Sequence, residues 1–183
     1  MRVCELCDGL RPEEMWSRTR DRIEANGFTI VMVEAEVPWA YTIGLIGSFD
    51  HPEVVVSGSS AEVSYGVLNE VVDRIRTGAR FDVPSASVDL EGFDAAVRVG
   101  SVHPAHWATG RFAMWLSYYG PSGSCPEPWA VQLVWPPHAF CSEHGCGRQL
   151  LFSKAPEPGE QHSGRTGRQP SRGKSKRAKR RRR

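Results

Sequence analysis

The chain has 183 residues, 40% apolar and 24% charged, a globular balance with room for one domain and a flanking segment. Its formal net charge of +2 conceals two opposite portions: residues 1–152 hold 11 basic and 19 acidic side chains, residues 153–183 hold 12 basic and 2 acidic. No run approaches the ~18 apolar residues of a membrane span, no apolar stretch follows Met1 as a secretory signal requires, and no repeat or heptad pattern is present, so a cytoplasmic, non-membrane protein is expected.

In chain order, a short lead with Cys4 and Cys7 precedes a helix predicted over Glu13–Asn26. Pro12 and two acids open it, and Asn26-Gly27 closes it. Phe28–Val33 is apolar and β-branched, and reads as a strand. Glu34–Pro38 is a turn, and Trp39–Ile46 reads as a second strand that forms a hairpin with the first. Gly47–Asp50 reads as loop, and Val54–Val56 as a short buried strand. Ser57–Ser60 breaks it and offers an N-cap to the strongest helical pattern, Ala61–Thr77. There Val63, Val67, Leu68, Val71, Val72 and Ile75 recur at helical spacing, and Gly78 ends the run.

Phe81–Leu90 reads as irregular or weak strand, and Phe93–Val99 as a half-buried strand. His103–His106 forms a turn, Trp107–Tyr119 an aromatic-rich helix, Gly120–Pro128 a loop, and Trp129–Trp135 a last strand. This order predicts an α+β domain over residues 1–152: a mixed, mostly antiparallel sheet with about three helices packed on it. A βαβ crossover around the Ala61 helix is one way to connect it. Residues 153–183 carry no large apolar side chain, so they cannot offset their ordering entropy and are expected to be a disordered polybasic tail.

Several runs stand out together. Pro38-Trp-Ala-Tyr-Thr-Ile-Gly-Leu45 is followed by His51-Pro52-Glu53, and later by Gln132-Leu-Val-Trp-Pro136. With Cys4, Cys7, Asp8 and Ile23…Asn26-Gly27-Phe28 before them, they resemble a bacterial domain-of-unknown-function family, DUF 4262, over about residues 4–137. The resemblance implies the limits of the domain; it brings no activity, substrate or catalytic residue to these positions. At its far end Pro137-His138 and a cysteine cluster stand where the family continues with an acidic residue and a Phe-Pro-Trp-like segment.

Five cysteines without an export signal point to metal or free thiols rather than a disulfide framework. Cys4 and Cys7 have the two-residue gap that lets two thiolates hold one ion, and Cys141-Ser-Glu-His144-Gly-Cys146 is a second short knuckle. Four thiolates, or three with His144, would complete one tetrahedral structural zinc site pinning the lead to the end of the domain. The same residues are also compatible with reduced thiols or with a redox pair.

His103 and His106, spaced i, i+3, would face one way on a helical turn; a capping or surface role is the plainer reading. If the strands at Trp39–Ile46 and Val54–Val56 pair, then Tyr41, Thr42, His51 and Glu53 cluster at their ends. With Gln132 they would line a small-molecule pocket suited to polar binding or acid–base work, against the alternative of a hydrogen-bonded strand end. Phosphate-loop, dinucleotide and serine-hydrolase signatures are missing.

The basic segment is the clearest functional feature. Arg172, Lys174, Lys176, Arg177, Lys179, Arg180, Arg181, Arg182 and Arg183 place nine cations in twelve residues. Such a run engages phosphates and releases counterions, so nonspecific nucleic-acid or ribosome association is expected. It lacks aromatics to stack on bases, and it lacks an apolar anchor for a membrane surface.

The zinc reading is checked by elemental analysis of tag-free protein purified without added metal or chelator. About one zinc per chain is expected from one tetrahedral set; metal-free protein whose thiols all titrate removes the site.

Overall fold

The computed structural model describes residues 11–82, 86–91, 96–120, 129–135, 149, 150, 152 and 154. Helix α1 (Pro12–Asn26) starts with proline in its first turn, beside Glu13 and Glu14. Arg11 precedes it and pairs with Glu14 at 2.6 Å. Strands β1 (Thr29–Val33) and β2 (Trp39–Ile43) form the expected antiparallel hairpin, with Thr29 opposite Ile43 and Val33 opposite Trp39.

The second strand stops short of the predicted Ile46. Gly44, at φ +116°, turns the chain out of the sheet, and Leu45–Phe49 form a short helix α2 where the sequence reads as strand and loop. A Cβ on Gly44 would lie 2.7 Å from the Gly27 carbonyl oxygen, so only glycine fits both the dihedral and the approach. The turn buries Leu45 in the core and leaves the backbone amides of Gly44 and Ile46 facing the start of the next strand.

Strand β3 (Glu53–Ser57) leads through Ser60, whose hydroxyl accepts the Val63 N–H at 3.3 Å, into helix α3 (Ala61–Arg76). A two-residue strand β4 (Ser87–Val88) and strand β5 (Val97–Ser101) follow. The helix predicted over Trp107–Tyr119 divides in two. Pro104–Thr109 is a 3-10 turn, Gly110 breaks it at φ +75°, and helix α4 covers Ala113–Tyr119 only. Strand β6 (Ala130–Val134) completes the sheet.

The six strands run in the order β1-β2-β3-β6-β5-β4. Among the described residues β3 and β6 alone pair in parallel and the other four pairings are antiparallel, which is the mixed, mostly antiparallel α+β sheet expected. Helix α3 crosses from β3 to β4 at the far edge, so β3's parallel neighbour is β6 rather than the next strand in sequence. Strands β2, β3 and β6 are buried along their whole length, as central strands covered on both faces must be.

Alternation along the strands feeds two cores. Ala40, Val54, Val56, Val131 and Leu133 join Val67, Leu68, Val71, Val72 and Ile75 of α3 on one face. Trp39, Tyr41, Ile43 and Val55 join Trp107, Phe112, Trp115 and Phe152 on the other. The described contacts therefore reach past the last strand, as far as Lys154. Among the described residues no helix is long and apolar enough to cross a membrane.

Trp115 is fully buried against Trp107, whereas Leu116 beside it is 38% exposed. Trp115→Ala should cost about 3–5 kcal/mol in chemical denaturation, and Leu116→Ala should stay within about 0.5 kcal/mol of the parent.

Candidate functional site

Two of the residues predicted to cluster do meet. Glu53 opens β3 and is 1% exposed; Thr42 lies one strand away in β2. The Thr42 hydroxyl donates to Glu53 Oε2 at 2.6 Å and accepts the Val54 N–H at 2.9 Å. The second carboxylate oxygen, Oε1, accepts the Gly44 N–H at 2.8 Å, the Ile46 N–H at 3.4 Å and the Tyr119 hydroxyl. That hydroxyl also accepts the Gly44 N–H at 3.1 Å. Glu53 thus takes donors from β2, from the turn at Gly44, from α2 and from the last residue of α4.

Burial pushes the Glu53 carboxyl above its ordinary value, while the bonds from Thr42, Tyr119, Gly44 and Ile46 pull it back. The Tyr119 phenol is raised too, by burial first and then by the charge and the hydrogen bond of Glu53, so it remains a proton donor. Tyr119 was not singled out from sequence. The signal available was a Tyr118-Tyr119 pair before Gly120, and nothing local distinguishes which ring turns inward. Gly44, whose amide reaches Glu53, stands in the sequence only as one residue of the Tyr-Thr-Ile-Gly-Leu run.

The other predicted pocket residues are spent elsewhere. The Tyr41 hydroxyl stands at the backbone of Met114 and Trp115, in the first turn of α4, and burial raises its pKa. It serves there as a tertiary cap, because that helix has no side-chain cap of its own. His51 donates from Nδ1 to the Pro52 carbonyl at 2.7 Å and accepts the Phe81 N–H on Nε2 at 3.0 Å. Both ring nitrogens are used, and burial lowers its pKa, which keeps it neutral.

Gln132 ties down the segment beyond β6. Its Nε2 donates to the Leu150 carbonyl at 2.6 Å and to Ser57 Oγ at 3.2 Å, and its Oε1 accepts the Phe152 N–H at 2.8 Å. The Phe152 carbonyl accepts the His103 N–H at 2.6 Å. His103 and His106 do not act as a pair: His103 Nδ1 accepts the Ala105 N–H at 3.2 Å as a cap, and His106 Nε2 donates to the Lys154 carbonyl at 2.6 Å.

The expected zinc ligands Cys4, Cys7, Cys141, His144 and Cys146 lie outside the described residues, as do Arg172, Lys174, Lys176, Arg177, Lys179 and Arg180 to Arg183. Among the described residues no three His, Cys, Asp or Glu side chains group to hold a metal ion. A groove of about 750 Å³ does open on the described surface, between α1, the start of β1 and α3, away from Glu53.

Glu53→Gln replaces an all-acceptor group with one that points an amide N–H at a donor. It should cost about 1–3 kcal/mol at pH 7 by chemical denaturation. A raised folded pKa stabilises fully below the unfolded value of 4.5, and that contribution is lost as pH rises through the folded value. The stability advantage of wild type over Glu53→Gln should therefore shrink as pH rises from about 4.5. An advantage that grows with pH would contradict the raised carboxyl.

A family model described as a domain of unknown function (DUF4262) matches residues 22–141, and the chain belongs to that family. Neither a curated protein nor a solved structure matches it.

Proposed function

We propose that this DUF4262 chain is a binding protein rather than an enzyme, and that residues 172–183 give it nonspecific affinity for nucleic acid, free or in the ribosome. The carrying observation is the density of charge: nine cations in twelve residues, downstream of a portion holding 19 acidic and 11 basic side chains. Phosphate neutralisation with counterion release is what such a run does most strongly, and no base-reading group accompanies it. The folded part supports the same reading from the other side. Tyr41, Thr42, His51, Glu53 and Gln132, the side chains available for a small-molecule pocket, are engaged in bonds within the fold.

The test is duplex binding by fluorescence anisotropy across a salt series. With about eight phosphate contacts, log K should fall against log salt with a slope near −7. A chain ending at Lys154, which keeps the described contacts, should lose retention at low salt. Undiminished affinity in that shortened chain, or a slope near zero, would sink the proposal. A folded Glu53→Gln or Tyr41→Phe variant that loses binding of a small molecule would favour the enzyme reading instead.

A further inference from the structure

His51 sits between the end of α2 and the start of β3, fully buried, and both its ring nitrogens meet backbone. Nε2 takes the Phe81 N–H at 3.0 Å; a backbone amide can only donate, so that nitrogen carries no proton. The ring proton is therefore on Nδ1, which donates to the Pro52 carbonyl at 2.7 Å. The ring also meets the Phe81 ring edge to face, with centroids 6.1 Å apart. A second proton would set an Nε2–H against the Phe81 N–H, and the bond between them cannot survive it.

The segment that His51 holds is short and hinged. Helix α3 ends at Arg76, and Gly78 turns the chain at φ +97° into Ala79–Asp82. Arg80 makes a second tie: it donates to the Asp50 carbonyl at 2.6 Å and pairs with Asp82 at 2.6 Å. Asp50 itself has a left-handed backbone, φ 49°, the one such non-glycine among the described residues. Phe81 carries the apolar part of the contact and belongs to the α3 core.

We propose that His51 is an acid-sensitive latch: its neutral ring fastens residues 79–82 to the end of α2, and protonation releases that segment while the sheet stays paired. Release swings on Gly78 and uncovers Phe81. The latch lies in the folded part and is independent of nucleic-acid binding.

Among the described residues the charges acting on the ring are those of the latched segment: Arg80 disfavours a cation there and Asp82 favours one. Beside it in the chain, Asp50 is exposed, and the Glu53 carboxylate of β3 is turned to Thr42, Gly44, Ile46 and Tyr119. On α3, which shares its core with Phe81, Glu70 pairs with Arg74 and Asp73 with Arg76. Burial is the largest influence and holds the ring's pKa below its ordinary 6.5, although the Pro52 bond pushes the other way. With a lowered folded pKa, the fastened form is fully stabilised above 6.5 and loses that advantage as pH falls toward the folded value.

Amide hydrogen exchange on the full chain, from about pH 8 to about pH 5, tests the latch. The Phe81 amide should keep a constant protection factor above about pH 6.5 and lose about tenfold per pH unit below it, the slope of one proton. Amides of β2 and β3 should hold theirs over the same range. Glu53 acts in the opposite sense, because its raised carboxyl stabilises toward acid, so the sign of the change separates the two groups. His51→Gln offers a side-chain oxygen to the same N–H and does not titrate, so its Phe81 protection should be flat with pH. If that variant is unfolded, the wild-type profile decides alone. Wild-type Phe81 protection that ignores pH overturns the proposal. So does a parallel loss across β2 and β3, which is unfolding of the sheet, or a folded His51→Gln variant that keeps the wild-type slope.

Discussion

The Glu53 carboxylate is the constraint around which this molecule is arranged. A charge taken out of water is costly unless donors replace the water; among the described residues its donors are hydroxyls and backbone amides rather than a cationic side chain. Each donor belongs to a different element, so satisfying one carboxylate fixes where four elements meet. It explains why β2 ends at Ile43 and why Gly44 adopts a left-handed conformation. It also explains why Tyr119, at the end of α4, turns inward. Helix α4 is then held at both ends by the same two strands, through Tyr41 at its first turn and Glu53 at its last.

The same face of the sheet repeats the device with a neutral group. Gln132 uses both its amide hydrogens and its oxygen on Ser57, Leu150 and Phe152. Ser57 in turn donates to the Leu150 carbonyl at 2.8 Å, and its own carbonyl accepts the Trp135 indole N–H at 3.2 Å. Trp39, Tyr41, Trp107, Phe112, Trp115 and Phe152 crowd this face. Directional polar bonds set in an apolar layer give that layer a single arrangement.

The features that proved legible from sequence are those written in periodic or local chemistry. The helical spacing of Val67, Leu68, Val71, Val72 and Ile75 placed α3, and β-branched runs placed the hairpin and β3. The meeting of Thr42 and Glu53 was legible because adjacent strand ends lie side by side, although the register that sets Tyr41 opposite Val55 does not make the two a facing pair. What was hidden depends on distance in the chain. Tyr119 is 66 residues from Glu53, and no local pattern tells an inward tyrosine from its neighbour Tyr118. Helix α2 was hidden because Leu45 and Ile46 continue an apolar run that reads as strand; the left-handed turn at Gly44, where a Cβ would crowd the Gly27 carbonyl, decides otherwise. In the same way, an aromatic run from Trp107 onward reads as one helix until Gly110 takes a positive φ. His51 and Gln132 had the right chemistry for a pocket, but burial turned their polar atoms onto backbone.

The place of Phe152 sets an order on how the chain comes together. Its ring is fully buried, with Trp39, His106 and Phe112 around it, so the aromatic layer lacks its centre until residues beyond the last strand have arrived. During synthesis the hairpin and α3 can form early from neighbouring residues, and the α3 face of the sheet can begin to pack once β3 is made. The opposite face must wait for the parallel pairing of β3 with β6 and then for Phe152, contacts that span long stretches of chain and close slowly. The α3 face of this sheet can therefore begin to pack early and is completed when Val131 and Leu133 of the last strand arrive, whereas the aromatic face is sealed only by a residue beyond that strand.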